Sequence, residues 1–163
     1  MAVKLNFNRS DNGPSTILEF SGAVDEDAAF DSLGIAATVK DLTISLAGVT
    51  TINSCGIRAW VKWVKSIPST VKTHFVNNPK IVIDQVNMVD GFLPAGAVIE
   101  SFQVPFFCEE CENVTTITFN RGVEFKGDAI NVPETVECLS CNKTAEIDVI
   151  ESKYFRFLKN QPK

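Results

Sequence analysis

Polar and apolar residues alternate over residues 41–46, Asp-Leu-Thr-Ile-Ser-Leu, which is the period-two signature of a strand with one buried face. Residues 15–20, Ser-Thr-Ile-Leu-Glu-Phe, predict a second strand, closed by Ser21-Gly22. The pattern changes period over residues 54–67. There Ile57, Trp60, Val61, Val64 and Ile67 recur at helical spacing, with Arg58, Lys62 and Lys65 on the opposite face and Pro68 as the stop. Asp25, Glu26 and Asp27 place carboxylates where the first turn of a short helix through Ala28, Ala29, Phe30 and Leu33 would favour them, with Gly34 ending it. A short strand at 73–76, a second helix at 81–89 and a strand at 97–102 complete this part. The β-branched run Ile81-Val82-Ile83 pulls against the helical reading of its segment. The order β-α-β-α-β-α-β predicts an α/β domain over residues 1–102, a mostly parallel or mixed sheet with helices packed on it.

The character of the chain changes at Gln103-Val104-Pro105. Residues 114–120 and 123–126 read as strands about the turn Arg121-Gly122, and residues 144–150 as a third. The tail 151–158 predicts a short helix with Tyr154, Phe155 and Leu158 facing inward. Residues 103–163 therefore read as a second, small β domain.

Composition adds little to this picture and excludes some functions. Of 163 residues 45% are apolar and 21% charged, the balance of a globular chain. The net charge is −5, and neither half is basic: residues 1–102 carry 8 Lys/Arg against 10 Asp/Glu, residues 103–163 carry 7 against 10. That balance opposes a general phosphate-binding surface, so nucleic acid is not the expected partner. The N-terminus has no apolar core of a signal peptide, and no stretch nears the roughly 20 apolar residues that span a bilayer. The expected location is the cytoplasm, without membrane attachment.

Four of the five cysteines form two pairs, Cys108-Glu-Glu-Cys111 and Cys138-Leu-Ser-Cys141, with 26 residues between the pairs. Each CxxC turn brings two thiolates to one side, and two such turns close a tetrahedron about a metal. The expected ion is zinc, with iron as its rival, since four thiolates also suit a rubredoxin-like centre. Disulfides or a redox dithiol are the readings without a metal. Asn142 after the second pair suits the left-handed conformation that ends such a turn; Glu112 after the first suits it less. Four protein ligands leave no open coordination position, so the expected role is structural. About 60 residues with few large apolar side chains need that contribution to fold.

Between the strand at 41–46 and the helix at 54–67 lies Ala47-Gly48-Val49-Thr50-Thr51-Ile52-Asn53, read as a turn, with Asn53 or Ser54 as N-cap. The segment DLTISLAGVTTINSCGIRAWV resembles the STAS domain of bacterial anti-sigma factor antagonists, whose motif runs strand, Gly-Val-x-x-hydrophobic-Asp-Ser-Ser-Gly, helix. Its combination with a CxxC module and the tail ESKYFRFL resembles bacterial proteins that join a STAS domain to a zinc ribbon-like module. In that family a partner kinase, itself the anti-sigma factor, phosphorylates the second serine. The resemblance places Cys55 at that position, Asn53 at the aspartate, and matches Ser54 and Gly56. It implies a regulatory protein without enzymatic activity. A protein partner, such as a kinase-like anti-sigma factor or a signalling complex, would meet Thr50, Thr51, Asn53, Ser54, Cys55, Gly56 and Arg58.

Two alternatives remain at this point: nucleic-acid binding by the ribbon, opposed by its acidic balance, and a redox sensor built on Cys55. No His or Asp spacing near Cys55 supplies a base, and the lone His74 sits in a short strand. Trp60 belongs to the core stripe, whereas Trp63 lies at its edge, where packing is the expected use and contact with a partner the alternative. No P-loop, dinucleotide fingerprint or HExxH motif occurs.

Overall fold

The computed structural model describes residues 3–162 and is a mixed α/β structure with three helices. The strand signal at 15–20 extends into β2, Ser15–Val24, and that at 41–46 into β3, Asp41–Ile52. The two pair in parallel, with register shifts between Glu19 and Ser21 and again between Gly22 and Ala23. Alternation decides their faces: Leu18, Phe20, Leu42, Ile44 and Leu46 are all buried. Before β2 comes an edge strand absent from the sequence reading, β1, Asn6–Asn12, antiparallel to β2 through Gly13-Pro14. Gly13 takes φ +61°, which suits a two-residue hairpin turn.

Residues 25–40 form no helix. Asp25 instead accepts the Asp27 N–H on its own carboxylate at 3.0 Å, a local bond that competes with helical pairing. Single turns follow, Leu33 N–H to Phe30 C=O and Val39 N–H to Ala36 C=O. Phe30, Leu33 and Val39 are nonetheless buried, so the segment serves the core as a packed loop. The Leu33 carbonyl that a continuing helix would use accepts the Trp63 indole N–H at 2.7 Å.

Helix α1, Ser54–Ser66, lays Gly56, Trp60, Trp63 and Val64 on the sheet. Trp60 donates its indole N–H to the Phe92 carbonyl at 2.7 Å, so both tryptophans bury their rings with the polar atom satisfied. Trp63, expected at the edge of the stripe, packs fully into the core at 5% exposed, so packing and not a partner is its use. Next come β4, Lys72–Val76, parallel to β3, and α2, Lys80–Met88, which buries Val82 and Ile83. Burial of those β-branched residues outweighs their helical reluctance. The sheet ends with β5, Val98–Ile99, giving the order β1-β2-β3-β4-β5.

The expected last strand at 97–102 is broken in two at Glu100. Its N–H donates to the Phe75 carbonyl of the first sheet, and its carbonyl accepts the Arg121 N–H. Strand β6, Ser101–Phe107, then opens a second sheet, so the expected junction at 102/103 lies inside a strand. β7, Val114–Asn120, pairs antiparallel with β6. Phe125–Lys126, β8, pairs with Ala129–Ile130, β9, rather than with β7. β10, Thr135–Glu137, and β11, Thr144–Ile147, complete a four-stranded sheet of order β10-β11-β6-β7. Helix α3, Glu151–Tyr154, runs into a 3-10 turn at Arg156–Asn160.

One core joins the two sheets. Phe102 packs with Phe119, Phe125, Tyr154, Phe155 and Phe157, and Phe119 stacks on Phe155. The tail is tied to the first sheet's elements: Asn87 of α2 donates its amide to the Tyr154 carbonyl, and Ile99 N–H to the Gln161 side chain. Asn78, fully buried, donates to the Ser101 carbonyl and its own carbonyl accepts the Gln103 N–H. Among the described residues no helix is long and apolar enough to cross a membrane.

Candidate functional site

Each cysteine pair occupies the loop of an antiparallel hairpin. Cys108 to Asn113 join β6 to β7, where Phe107 faces Val114, and Cys138 to Lys143 join β10 to β11, where Glu137 faces Thr144. Because β11 pairs antiparallel with β6, both loops lie at the same end of the sheet. The two loops repeat one hydrogen-bond pattern. The first cysteine donates its N–H to the residue five further on, Asn113 or Lys143, at 3.0 and 2.7 Å. Its carbonyl accepts from the residue four further on, Glu112 or Asn142, at 2.8 and 2.9 Å. Those two residues are left-handed, φ 60° and 61°. The conformation expected at Asn142 therefore holds at Glu112 also, where the side chain opposes it.

The result is a cluster of four sulfurs within 4.8 Å of one another, with Cys108 to Cys141 and Cys111 to Cys138 each at 3.5 Å. A tetrahedron with metal–sulfur bonds of about 2.3 Å has edges of roughly 3.8 Å, so the donor set fits one thiophilic ion. Cys108 and Cys138 are fully buried; Cys111 and Cys141 are half-buried. Backbone N–H groups of Cys141 and Ser140 hold the Cys138 thiol down to about 6, the second at 3.4 Å from its sulfur. The Lys143 N–H favours the Cys141 thiolate as well, but burial and the thiols of Cys108, Cys111 and Cys138 outweigh it and push Cys141 up to about 12. Thiols that resist joint ionisation in so small a volume are what a divalent cation relieves. Thr115 supports the second loop: buried in β7, it accepts the Leu139 N–H on its hydroxyl at 3.1 Å. Only the strand register reveals that residue, and the spacing of cysteines gives no hint of it.

The second candidate is tighter than expected. Thr50 and Thr51 are exposed residues of β3, not of a turn, because β2 and β3 stay paired as far as Val24 and Ile52. Asn53 alone links strand to helix. Its N–H donates to the Val24 carbonyl, its side-chain oxygen accepts the Gly56 N–H at 2.9 Å, and its amide donates to Glu26 at 2.8 Å. Asn53 is therefore the N-cap, and Ser54 is the first helical residue. Glu26's own backbone N–H, then the Asn53 amide, keep its carboxyl below the usual range. Gly56 is buried, and a Cβ there would stand 2.0 Å from the Val24 carbonyl oxygen. Ser54, Cys55 and Arg58 are exposed beside this fixed backbone, and Arg58, Lys62 and Lys65 continue as a cationic stripe. No ion pair to those three cations occurs among the described residues.

No protein-family model matches the chain, and no curated protein matches it. The readings of the cysteine cluster and of the helix start thus rest on the residues themselves. His74 stands apart from both, half-buried between Glu100 at 3.0 Å and Asp41 at 3.4 Å, where it bridges strands.

Proposed function

We propose that this chain is a non-enzymatic regulator with a STAS-like domain that binds another protein through the start of α1, and a zinc ribbon-like module braced by one structural zinc ion. The observation that carries the reading is the helix start. Its backbone is held by three bonds from Asn53 and by the Gly56 contact, while Ser54, Cys55 and Arg58 point outward without side-chain partners in the described chain. A rigid backbone that displays uncommitted side chains lowers the ordering cost of docking. The stripe of Arg58, Lys62 and Lys65 favours an acidic partner surface. Cys55 at the family's phosphoacceptor position removes the usual phosphoserine switch, so binding here does not depend on phosphorylation of that residue. Zinc is preferred to iron because four closed thiolate ligands serve folding without redox chemistry.

Affinity capture from native cells tests the surface. The expected result is one or a few partners retained by the unaltered chain and lost when Ser54→Asp and Arg58→Glu are combined, with circular dichroism unchanged. Full retention by that variant contradicts the reading.

A further inference from the structure

Beyond the helix-start surface, we infer that strand β7 pairs with β7 of a second copy of the chain, antiparallel across a two-fold axis. β6 binds β7 through alternate residues only. Ser101, Gln103 and Pro105 turn their backbone groups away from β7, toward Asn78, the Tyr154 hydroxyl and Asp148. The β7 residues opposite them in register, Asn120, Thr118 and Thr116, therefore direct theirs to the free edge, as does Val114. Val114, Thr116 and Thr118 are exposed, and outside that ladder their N–H and C=O groups find no partner among the described residues. The other edges of the two larger sheets are guarded. β1 carries Arg9 and Asp11, and Arg9 is bonded to the Gly34 carbonyl at 2.8 Å. β10 spans three residues and ends on Glu137, and β5 spans two, with its Ile99 N–H held by Gln161. β7 runs for seven residues, Val-Thr-Thr-Ile-Thr-Phe-Asn, without a charge, a proline or a bulge. Such an edge is a template for another strand.

A second copy fits this template because the free run is symmetric about its middle. Asn120 is already committed: its N–H donates to the Glu124 carboxylate at 2.6 Å, and its carbonyl accepts from Val123 and Glu124. Thr116 is then the centre of the free run. A two-fold axis there sets Thr116 against its own copy and Val114 against Thr118 of the second copy, each pair exchanging two backbone bonds. Ile117, half-buried at the sheet edge, gains the cross-strand neighbour it lacks. The ends of the strand carry complementary charge. Exposed Glu109, Glu110 and Glu112 precede it, outweighing Lys143 beside the first two, and Arg121 follows it, with Glu100 at 3.9 Å. Antiparallel copies bring each acidic end to the Arg121 end of the other, whereas parallel copies would set acid beside acid. The four-stranded sheet is thereby doubled into one continuous sheet.

Sedimentation velocity of the full zinc-loaded chain over about 1–200 μM tests this, since a short edge contact gives a reversible dimer that grows with concentration. Association should stop at two copies, because a two-fold pairing uses up the edge. Thr116→Lys sets like charges face to face at the axis and should weaken the dimer at least about tenfold while melting like the parent. Thr118→Lys should do the same, and carries the test if the first variant melts early. At high concentration the Val114 and Thr116 amides should exchange at least about tenfold more slowly in the parent than in Thr118→Lys. Ser54→Asp with Arg58→Glu should leave the dimer intact, which separates this edge from the helix-start surface. A monomer at every concentration, growth beyond two copies, a dimer indifferent to both lysine variants, or equal amide exchange would overturn the inference.

Discussion

At the scale of single residues, Gly56 and Cys55 are neighbours with opposite roles. The Gly56 site has no room for a methyl group, since its nearest neighbour is the Val24 backbone and not a movable side chain. Gly56→Ala should therefore cost about 3 kcal/mol or more in urea unfolding, whereas exposed Cys55→Ala should stay within about 0.5 kcal/mol. Equal effects would mean that the helix start is not seated on β2. Glu112 is the converse case, a side chain in a left-handed position that glycine occupies freely. Glu112→Gly should raise the stability of the metal-loaded chain by about 0.5–1 kcal/mol, read as a higher melting temperature. An unchanged or lowered value contradicts the geometry of that loop. The gathering of the four cysteines was legible, because two CxxC pairs have few other uses. Glu112 and Thr115 were not, since their roles depend on a backbone conformation and a register that spacing does not encode.

At the scale of elements, strong periodicity was reliable and weak local signals were not. α1 combines a stripe of large apolar residues with a polar face, and β3 alternates cleanly, so both were visible. β1 was hidden by its polar composition, Asn-Phe-Asn-Arg-Ser-Asp-Asn, although Asn12-Gly13 beside a strand is a hairpin signal. The absent helix at 25–33 has the reverse cause: acidic residues that favour a helix start also favour Asx turns, and tertiary packing of Phe30 and Leu33 chose the turns. The tail has several polar ties, of which one can be removed by a single atom. Tyr154, the chain's only tyrosine, donates its hydroxyl to the Gln103 carbonyl at 2.5 Å. Burial first, then the Asp84 carboxylate, push its ionisation upward. A raised folded value means that stability is whole below the ordinary tyrosine pKa of about 10 and falls as pH rises beyond it. Tyr154→Phe should cost about 1 kcal/mol at neutral pH and flatten that alkaline decline. A decline of the same steepness in the variant would contradict it.

At the scale of the whole molecule, the sequence divides more sharply than the structure does. The change of composition at Gln103-Val104-Pro105 is real, yet β6 begins at Ser101, and the tail of the second part packs against α2 and β5 of the first. Charge and cysteine content change locally along a chain, whereas a core shared between Phe102, Phe119 and Tyr154 is assembled from distant segments. The four-cysteine cluster, which could hold a metal ion, stands at the end of the second sheet remote in sequence from β2, β3 and α1, so removal of a bound metal should be felt unequally. Metal binding displaces thiol protons, so uptake should be weaker at pH 6 than at pH 8 in a competition with a chromophoric chelator. A pH-independent affinity would argue against thiolate ligation.

The most direct measurement is hydrogen exchange of the full chain by mass spectrometry, before and after a chelator has removed all metal. Faster exchange should appear across residues 108–113 and 138–147, where the two loops and β11 lose their common anchor, while β2, β3 and α1 stay protected. Unchanged protection of those two loops after complete metal removal would contradict the claim that one metal ion, held by Cys108, Cys111, Cys138 and Cys141, staples this end of the molecule.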